Sequence, residues 1–559
     1  MNKKNTQLSW VIGKIKHRFP MLAMLVLSCM GSAFFSVYFA LGTKGVIDAA
    51  VAKNIDLFYI ACLKQFGIIV GIVLCNFLTK HLREKLDAEL DRDWKKALLH
   101  SLLNSEYCAV SGYHSGELVN RLNNDVSAID SAIVSLLPQV AAMLTRLFCA
   151  MGFLISMSPW FAIVLLIAGV FVVLVTGFLR KHLKSLHKHV SEANGRVSAI
   201  LQETLEKLLV VQAMDISEEI ENRAKIRLDE RFAAVKKRKN ISLISNTCTN
   251  VLFLASGFFS LVWCASGLLA GTMNYGTMTA ITQLVNQLLN PFVNLSGVIP
   301  QYIAACAAAD RLYELAQLPA TAELRKESAS VLYDKMDGIV AEGLVFAYDR
   351  DRILDNADFK LKKGSFCAVT GPSGIGKSTI LKLLLGIYTP QDGKLYLQCG
   401  DQKIPVDRST RHLFDYVPQG NLLFSGTIRE NLLVVKPDAT EEEINQAIYV
   451  STMDEYLTLL PKGLDTILGE SGAGLSEGQA QRLAVGRAIL GGAPIILLDE
   501  CTSALDNRTE KLILERLNQL KNKTFIAVTH RPAAAEICDT NLQMVGRKVS
   551  VRAVDTQWR

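Results

Sequence analysis

From Ile241 to Ala309 the chain carries no charged residue, and from Ser131 to Leu179 it carries one, Arg146. A bilayer span takes about 20 apolar residues. Each stretch is therefore long enough for two helices that cross a hydrocarbon layer with a tight turn between them. Helix breakers mark the turns: Met157-Ser158-Pro159 in the first stretch, and the segment from Gly271 to Gly276 in the second. Two further apolar runs, Met21–Leu41 and Leu57–Leu78, complete six predicted spans, with the last four at 132–156, 160–179, 248–270 and 277–300. The first run has 21 residues. That exceeds the roughly 7–15 of a signal-peptide core, so it reads as a retained helix.

Lysine and arginine set the predicted orientation. Seven lie between the second and third spans and fourteen between the fourth and fifth, whereas the opposite loops hold only Lys44 and Lys53. The chain reads as an integral protein of the cell inner or plasma membrane, with its N-terminus and both long connections in the cytoplasm. Those connections, His81–Leu103 and Leu186–Ala234, mix charged and apolar residues at helical spacing, so the spans are expected to continue as cytoplasmic helices. The whole chain has 559 residues, 50% hydrophobic and 20% charged. Its net charge of +7 is too mild to argue for a nucleic-acid partner. Its 12 cysteines are scattered with no CxxC pair, so neither a disulfide framework nor a zinc site is expected.

Near residue 320 the composition changes. Leu318-Pro319-Ala320 ends the helical pattern, and from about 337 short β-type runs (Gly338–Ala341, Ser365–Thr370, Ile495–Leu498, Thr524–Val528) alternate with helical ones. The expected organisation is an all-α six-helix membrane domain at 1–318, a linker at 319–336, and an α/β domain with a substantially parallel sheet at 337–559.

Gly371-Pro-Ser373-Gly374-Ile375-Gly376-Lys377-Ser378-Thr379 matches GxxxxGK[ST] between an apolar strand and a helical run. That context predicts a phosphate-binding P-loop. Glycines let backbone N–H groups curl around phosphates, and the following helix adds partial positive charge. Lys377 is placed to reach the terminal phosphates, and the Ser378 hydroxyl to bind Mg²⁺. Ile495-Ile-Leu-Leu498-Asp499-Glu500 reads as a buried strand ending in two acids. Asp499 suits Mg²⁺ through water, and Glu500 is placed to polarise an attacking water.

Leu475-Ser476-Glu477-Gly478-Gln479, followed by Gln481-Arg482, and the ordered residues Tyr348, Gln419 and His530 resemble an ATP-binding cassette (ABC) exporter half-transporter. The segment from Ser115 to Val126 is similar to that family's first intracellular loop. The resemblance implies that Tyr348 stacks on adenine, that Gln419 contacts Mg²⁺, and that His530 holds the γ-phosphate and the attacking water. It implies that Ser503-Ala-Leu-Asp506 crosses to a partner domain, and that Gly469-Glu470 touches the membrane part. It further implies that Ser476, Gly478 and Gln479 complete the nucleotide site of a second chain, so that two chains sandwich two ATP molecules. The partner is then a second copy or a homologous half-transporter. Glu477 stands where the commonest signature has glycine, and its carboxylate is expected to point away from the phosphates.

The same resemblance implies an ATP-hydrolysing exporter of a peptide, lipid or amphiphilic small molecule. An importer of, for example, iron chelates, a lipid flippase, and a non-transport switch remain the alternatives. Gln283, Gln287, Asn290 and Asn294 share one helical face, with Asn286 beside them and Pro291 placed to kink the helix. This stripe either lines a translocation path or bonds between helices. Arg146 and Lys64 are the cations inside the spans, and no acid lies inside any span. An intramembrane cation costs on the order of 3 kcal/mol on insertion scales, so each is expected to face a cavity or a partner. Arg146 either meets an anionic group on the cargo or bonds structurally.

Overall fold

The computed structural model describes residues 3–321, 325, 327–348, 351–420, 423–469, 474–520, 522–531 and 537–553. Packing divides the chain into two units: Met1–Leu102 with Tyr113–Gln317, and Leu103–Gly112 with Leu318–Arg559. The short segment Leu103–Gly112 lies within the region expected to be wholly membrane domain, yet it packs with the second unit.

The first unit is helical. α1 (Lys3–Ile15) leads into α2 (Phe19–Val51), and α3 (Ile55–Leu103) returns antiparallel to it. α4 (Tyr107–Ser111) belongs to the second unit. α5 (Ser115–Asn120), α6 (Val126–Ser131) and α7 (Leu137–Met157) are joined by π-helical turns into one rod. α8 (Pro159–Glu206), the short α9 (Leu208–Ala213), α10 (Ser217–Leu269) and α11 (Tyr275–Ala316) complete the unit. The six predicted spans fall on the six long helical runs, and the two breaker clusters are the turns between α7 and α8 and between α10 and α11. Among the described residues, the helical stretches Ser9–Val51, Ile55–Leu103 and Ser115–Met157 are long and apolar enough to cross a membrane. The side chains of 170–179 and of Asn294 lie outside the described residues. α8 and α10, 48 and 53 residues long in all, run unbroken well past their apolar parts. α11 runs unbroken through Pro291 and Pro300.

Apolar packing and a few polar clamps hold this bundle. Val37 of α2, Ala150 and Leu154 of α7, Phe161 of α8 and Leu284 and Leu288 of α11 form a continuous core. Phe161 stacks on Trp263 with centroids 4.3 Å apart. At one end the Gly276 N–H donates to Asp48 at 3.1 Å. At the other, Arg18 meets Glu89 at 2.6 Å and Asp93 at 2.8 Å, and Arg311 grips Asp125 with two hydrogen bonds of 2.8 and 2.5 Å. Such two-pronged guanidinium–carboxylate pairs fix helix register more firmly than a single contact.

The second unit begins with α12 (Ala329–Lys335), which lies inside the segment read as a linker. Its Leu332 and Tyr333 are buried in the core below the first sheet. That sheet is antiparallel, in the order β2-β1-β4-β5, from β1 (Gly338–Tyr348), β2 (Asp351–Lys362), β4 (Asp392–Cys399) and β5 (Gln402–Pro405). It was not foreseen: only the first four residues of β1 read as a strand. The second sheet has the order β12-β11-β3-β10-β9-β6. Here β3 (Phe366–Thr370), β6 (Phe414–Val417), β9 (Ile495–Asp499), β10 (Thr524–Val528) and β11 (Thr540–Val545) run parallel, and β12 (Lys548–Ala553) is antiparallel at the edge. A two-residue ladder joins β7 (Gly426–Thr427) to β8 (Ile467–Leu468). The helices are α13 (Lys377–Leu384), α14 (Ile428–Leu433), α15 (Glu441–Val450), α16 (Asp454–Leu459), α17 (Glu477–Gly491) and α18 (Asn507–Asn518). Every residue of β9 and β10 is buried, as expected for central parallel strands covered on both faces.

Candidate active site

In an open parallel sheet, ligands bind beyond the carboxyl ends of the strands. The strand order brings four such ends together: β3 runs into the glycine loop, β9 into Asp499-Glu500, β10 into Thr529-His530, and β6 into Pro418-Gln419. Residues from 371 to 530 therefore converge on one edge.

The loop from Gly371 to Gly376 contains Ser373, Gly374 and Ile375 and opens α13. Gly376 is the residue before the helix, at φ +107°. A Cβ there would lie 2.1 Å from the Ile353 side chain, so only glycine fits. Lys377 is 6% exposed, and its Nζ donates to the carbonyls of Gly371 and Pro372 at 3.0 Å each. Its ammonium thus lies inside the curve of the loop. Ser378 donates its hydroxyl to Asp499 Oδ1 at 2.8 Å, and Tyr416 donates to Asp499 Oδ2 at 3.0 Å. Burial holds the Asp499 carboxyl above the usual carboxylate range, and these two hydrogen bonds offset only part of that rise. The Ser378 hydroxyl and the Asp499 carboxylate are hard oxygen donors side by side at a helix N-terminus, the donor set Mg²⁺ prefers.

Glu500 lies at the next position with φ +48°, a left-handed backbone that a non-glycine residue adopts at a cost of about 1–3 kcal/mol. Its N–H donates to the Val528 carbonyl at 3.1 Å. The turn aims the Glu500 carboxylate between two other predicted residues. Gln419 Nε2 donates to Glu500 Oε2 at 2.7 Å, and His530 Nδ1 lies 3.9 Å from Glu500 Oε1. Gln419, Glu500 and His530, scattered over 112 positions of sequence, form one polar cluster.

Tyr348 ends β1. Its ring meets Phe346 at 4.9 Å and Tyr388 at 5.2 Å, both edge-on, and its hydroxyl is 3.2 Å from that of Thr379. The Tyr348 side chain is half-buried. Tyr388 itself has no sequence signature, and Tyr107 of α4 stands against it at 6.1 Å.

The signature segment builds a different surface. Ser476 caps α17: its Oγ accepts from the Gln479 N–H at 3.3 Å, and Gln479 Oε1 accepts from the Ser476 N–H at 2.8 Å. This reciprocal box leaves Ser476 and Glu477 exposed. A Cβ on Gly478 would lie 2.9 Å from the Ala504 carbonyl, so glycine lets α17 close onto the Ser503–Asp506 loop. Gln481 spans the same gap, donating to Ser503 Oγ at 3.1 Å and accepting from the Ala504 N–H at 3.2 Å. Among the described residues, no hydrogen bond or ion pair links Ser476, Gly478 or Gln479 to the glycine loop. Glu470 lies outside the described residues.

Two residues of consequence escaped the sequence reading. Tyr416 sits in an unremarkable strand, and nothing nearby in sequence marks it as a donor to Asp499. Arg531 follows His530; it donates to the carbonyls of Ser503 at 2.7 Å and Leu505 at 2.8 Å, and to the buried Glu510 at 2.9 Å. It ties the end of β10 to the loop that packs under α17.

Known proteins match both units. The family model of the ABC transporter transmembrane region matches residues 19–292, and that of the ABC transporter itself matches 354–503. A probable multidrug resistance ABC transporter ATP-binding/permease protein of Bacillus subtilis is 30% identical over 78% of this chain and 75% of its own. An ATP-dependent lipid A-core flippase of Idiomarina loihiensis is 27% identical over 99% of this chain and 96% of its own. A bacterial Atm1-family ABC exporter solved with ATP bound has the same fold, with TM-score 0.81 and 23% identity over 97% of this chain and 95% of that one.

Proposed function

This chain belongs to the ABC transporter family, and from that membership we propose that two copies of it form an ATP-driven exporter of an amphiphilic compound. The observation that carries this reading is the split site. One strand edge gathers Lys377, Ser378, Asp499, Glu500, Gln419 and His530, while Ser476 and Gly478 open a helix with no polar link to that edge among the described residues. A half-site of this kind is completed by the signature of a second chain.

The roles follow from the geometry. The backbone N–H groups of the loop and the Lys377 ammonium take the phosphates of ATP. Tyr348 offers its ring to the adenine. Ser378 and Asp499, with Gln419 nearby, hold Mg²⁺, which neutralises phosphate charge when bound. Glu500 draws a proton from the attacking water, and His530 orients that water and the γ-phosphate. The strained backbone at Glu500 and the hydrogen bond from Gln419 hold the base in place. Glu477 is exposed in the single chain, and this reading requires its carboxylate to turn away from the phosphates when a second chain docks. The excess of lysine and arginine in the long connections supports a cytoplasmic position for the ATP-binding units. Relatives named as flippase and multidrug transporter support cargo that partitions into the bilayer.

Mixing crippled chains tests the split site. Lys377→Ala removes the phosphate cation, and Ser476→Phe blocks the signature. Each homodimer then lacks both sites, but a mixed dimer retains one intact site, made from the loop of one chain and the signature of the other. Co-expressed chains should hydrolyse ATP faster than either parent alone. A mixture no more active than its parents overturns the reading.

A further inference from the structure

We propose, on the transport reading above, that the cargo is an amphiphile bearing an anionic group, received mid-membrane by Arg146 and near the outer end of the bundle by Lys64. The six predicted spans hold no acidic side chain and two basic ones, Arg146 and Lys64. Neither makes an ion pair or hydrogen bond among the described residues, and the Arg146 Nε is buried without a partner. Elsewhere in the unit Arg18, Arg121 and Arg311 each hold a carboxylate within 3.1 Å, although Arg83 Nε is also buried without a partner. Arg146 is treated differently from those three.

Its position excludes an escape to either surface. Arg146 follows the buried Met143 by three residues and precedes the buried Ala150 by four, so it lies on the packed side of α7. It is 11 residues from Met157, about 16 Å along the helix. Two cross-helix contacts fix its depth. The Tyr38–Phe153 ring contact puts Arg146 level with Gly31 on α2, and the Gln287–Ser36 hydrogen bond puts that level within about 3 Å of Asn290 on α11. Asn290 and Asn286 are exposed, whereas Gln287 is used between helices. The polar face of α11 thus divides: Gln287 bonds structurally, while Asn290 stays open within about 3 Å of the guanidinium's level and Asn286 about 9 Å farther out.

Lys64 lies farther out. The close approach of Gly42 to Gln65 sets it level with Thr43 on α2, about 18 Å outward from the level of Arg146. It lines a cavity of about 430 Å³ whose walls include Leu41, Leu57, Ile60 and Ile68. Asp48 also lines this cavity, and its carboxylate accepts from the Gly276 N–H instead of pairing with Lys64. A guanidinium takes carboxylate, phosphate or sulfate with two parallel bonds, and an ammonium takes them more loosely. Tight capture therefore comes first and looser holding second, in apolar walls that suit a hydrocarbon tail. The same two charges repel a cationic amphiphile.

The test uses the full chain in phosphatidylcholine nanodiscs with three dansylated twelve-carbon probes that end in phosphate, hydroxyl or trimethylammonium. The phosphate probe should bind at least tenfold more tightly than the other two and should stimulate ATP hydrolysis most. Arg146→Met should erase that preference and Arg146→Lys should keep part of it; Lys64→Met should slow delivery of the probe to the far side of a proteoliposome. Equal binding of all three probes by wild-type chain, or a preference that survives both methionine substitutions, overturns the inference. Wild-type chain that hydrolyses no ATP at all instead overturns the transport reading. Repeating the transport arm with a fluorescent phosphatidylglycerol separates the sources of the anion: its movement indicates a lipid, and movement of the soluble probe alone indicates a free amphiphile.

Discussion

Arg531→Met is the substitution whose cost the structure defines best. Arg531 donates to two loop carbonyls and to Glu510, whose carboxylate is 1% exposed and also accepts from the Thr502 hydroxyl. Removing the guanidinium strands that carboxylate. Breaking one partner of a buried pair costs about 3–5 kcal/mol. The Arg531 side chain is 24% exposed, so water can partly replace it, and the lower end of about 3 kcal/mol applies. For a unit of this size, that lowers Tm by roughly 6–12 °C. The assay is thermal unfolding of the purified chain, following the transition that ATP shifts upward, because a ligand of the folded state stabilises only the unit that binds it. Glu510→Gln should rescue: an amide still accepts from Thr502 but leaves no charge to desolvate, and the double variant should regain at least about 1.5 kcal/mol. Turnover should fall further than stability alone explains, since Ser503 and Leu505 lose their anchor. If Arg531→Met melts within 2 °C of wild type, or the two substitutions add without coupling, the stranded-carboxylate argument is wrong.

Glu500→Gln should leave ATP binding intact while turnover falls by about 10²–10⁴; near-normal hydrolysis in an ATPase assay would show that another group takes the proton. Asp130, two residues before the third span, is 2% exposed with neither oxygen partnered among the described residues, and burial followed by Asp87 and Asp91 pushes its pKa up to about 8, against the pull of Lys95. The folded chain thus keeps a proton that the unfolded chain loses, so this stability is full in acid and drains away as pH rises from about 4 to about 8. Asp130→Asn should flatten that slope, with a Tm gain that widens toward pH 8; a gain independent of pH would refute the assignment.

The spans and the phosphate loop were legible because each is a local pattern. A charge gap such as Ile241–Ala309 needs no knowledge of its neighbours, and Gly371–Thr379 is read from nine adjacent residues. Gln419 and His530 were legible only through the family resemblance, since a lone glutamine or strand-end histidine carries no chemical mark. What escaped depends on partners distant in sequence. Tyr416 gains its role from Asp499, 83 positions away. α12 was hidden in the expected linker because seven residues are too few for a helical period to register, although Leu332 and Tyr333 anchor it below the antiparallel sheet. That sheet itself was obscured because register shifts break the alternation along β1.

The segment Leu103–Gly112 shows why such long-range contacts matter to mechanism. Sequence order puts it between two spans, but its packing puts it with the ATP-binding unit. The Glu106 N–H donates to the Pro319 carbonyl at 2.9 Å, the Thr321 N–H donates to the Asn104 carbonyl at 2.9 Å, and Tyr107 stands against Tyr388. Tyr388 in turn touches Tyr348, the ring assigned to adenine. On one side the segment continues directly from the end of α3 at Leu103, and on the other three residues, Gly112 to His114, separate α4 from the rod that begins at Ser115. On the proposed transport reading, a displacement of the ATP-binding unit would be passed on through these short connections. On that same reading, lengthening the Gly112–His114 joint with a few flexible glycines should uncouple ATP hydrolysis from transport while leaving both units folded. Transport that persists at the wild-type ratio to hydrolysis in such an insertion variant would place the coupling elsewhere.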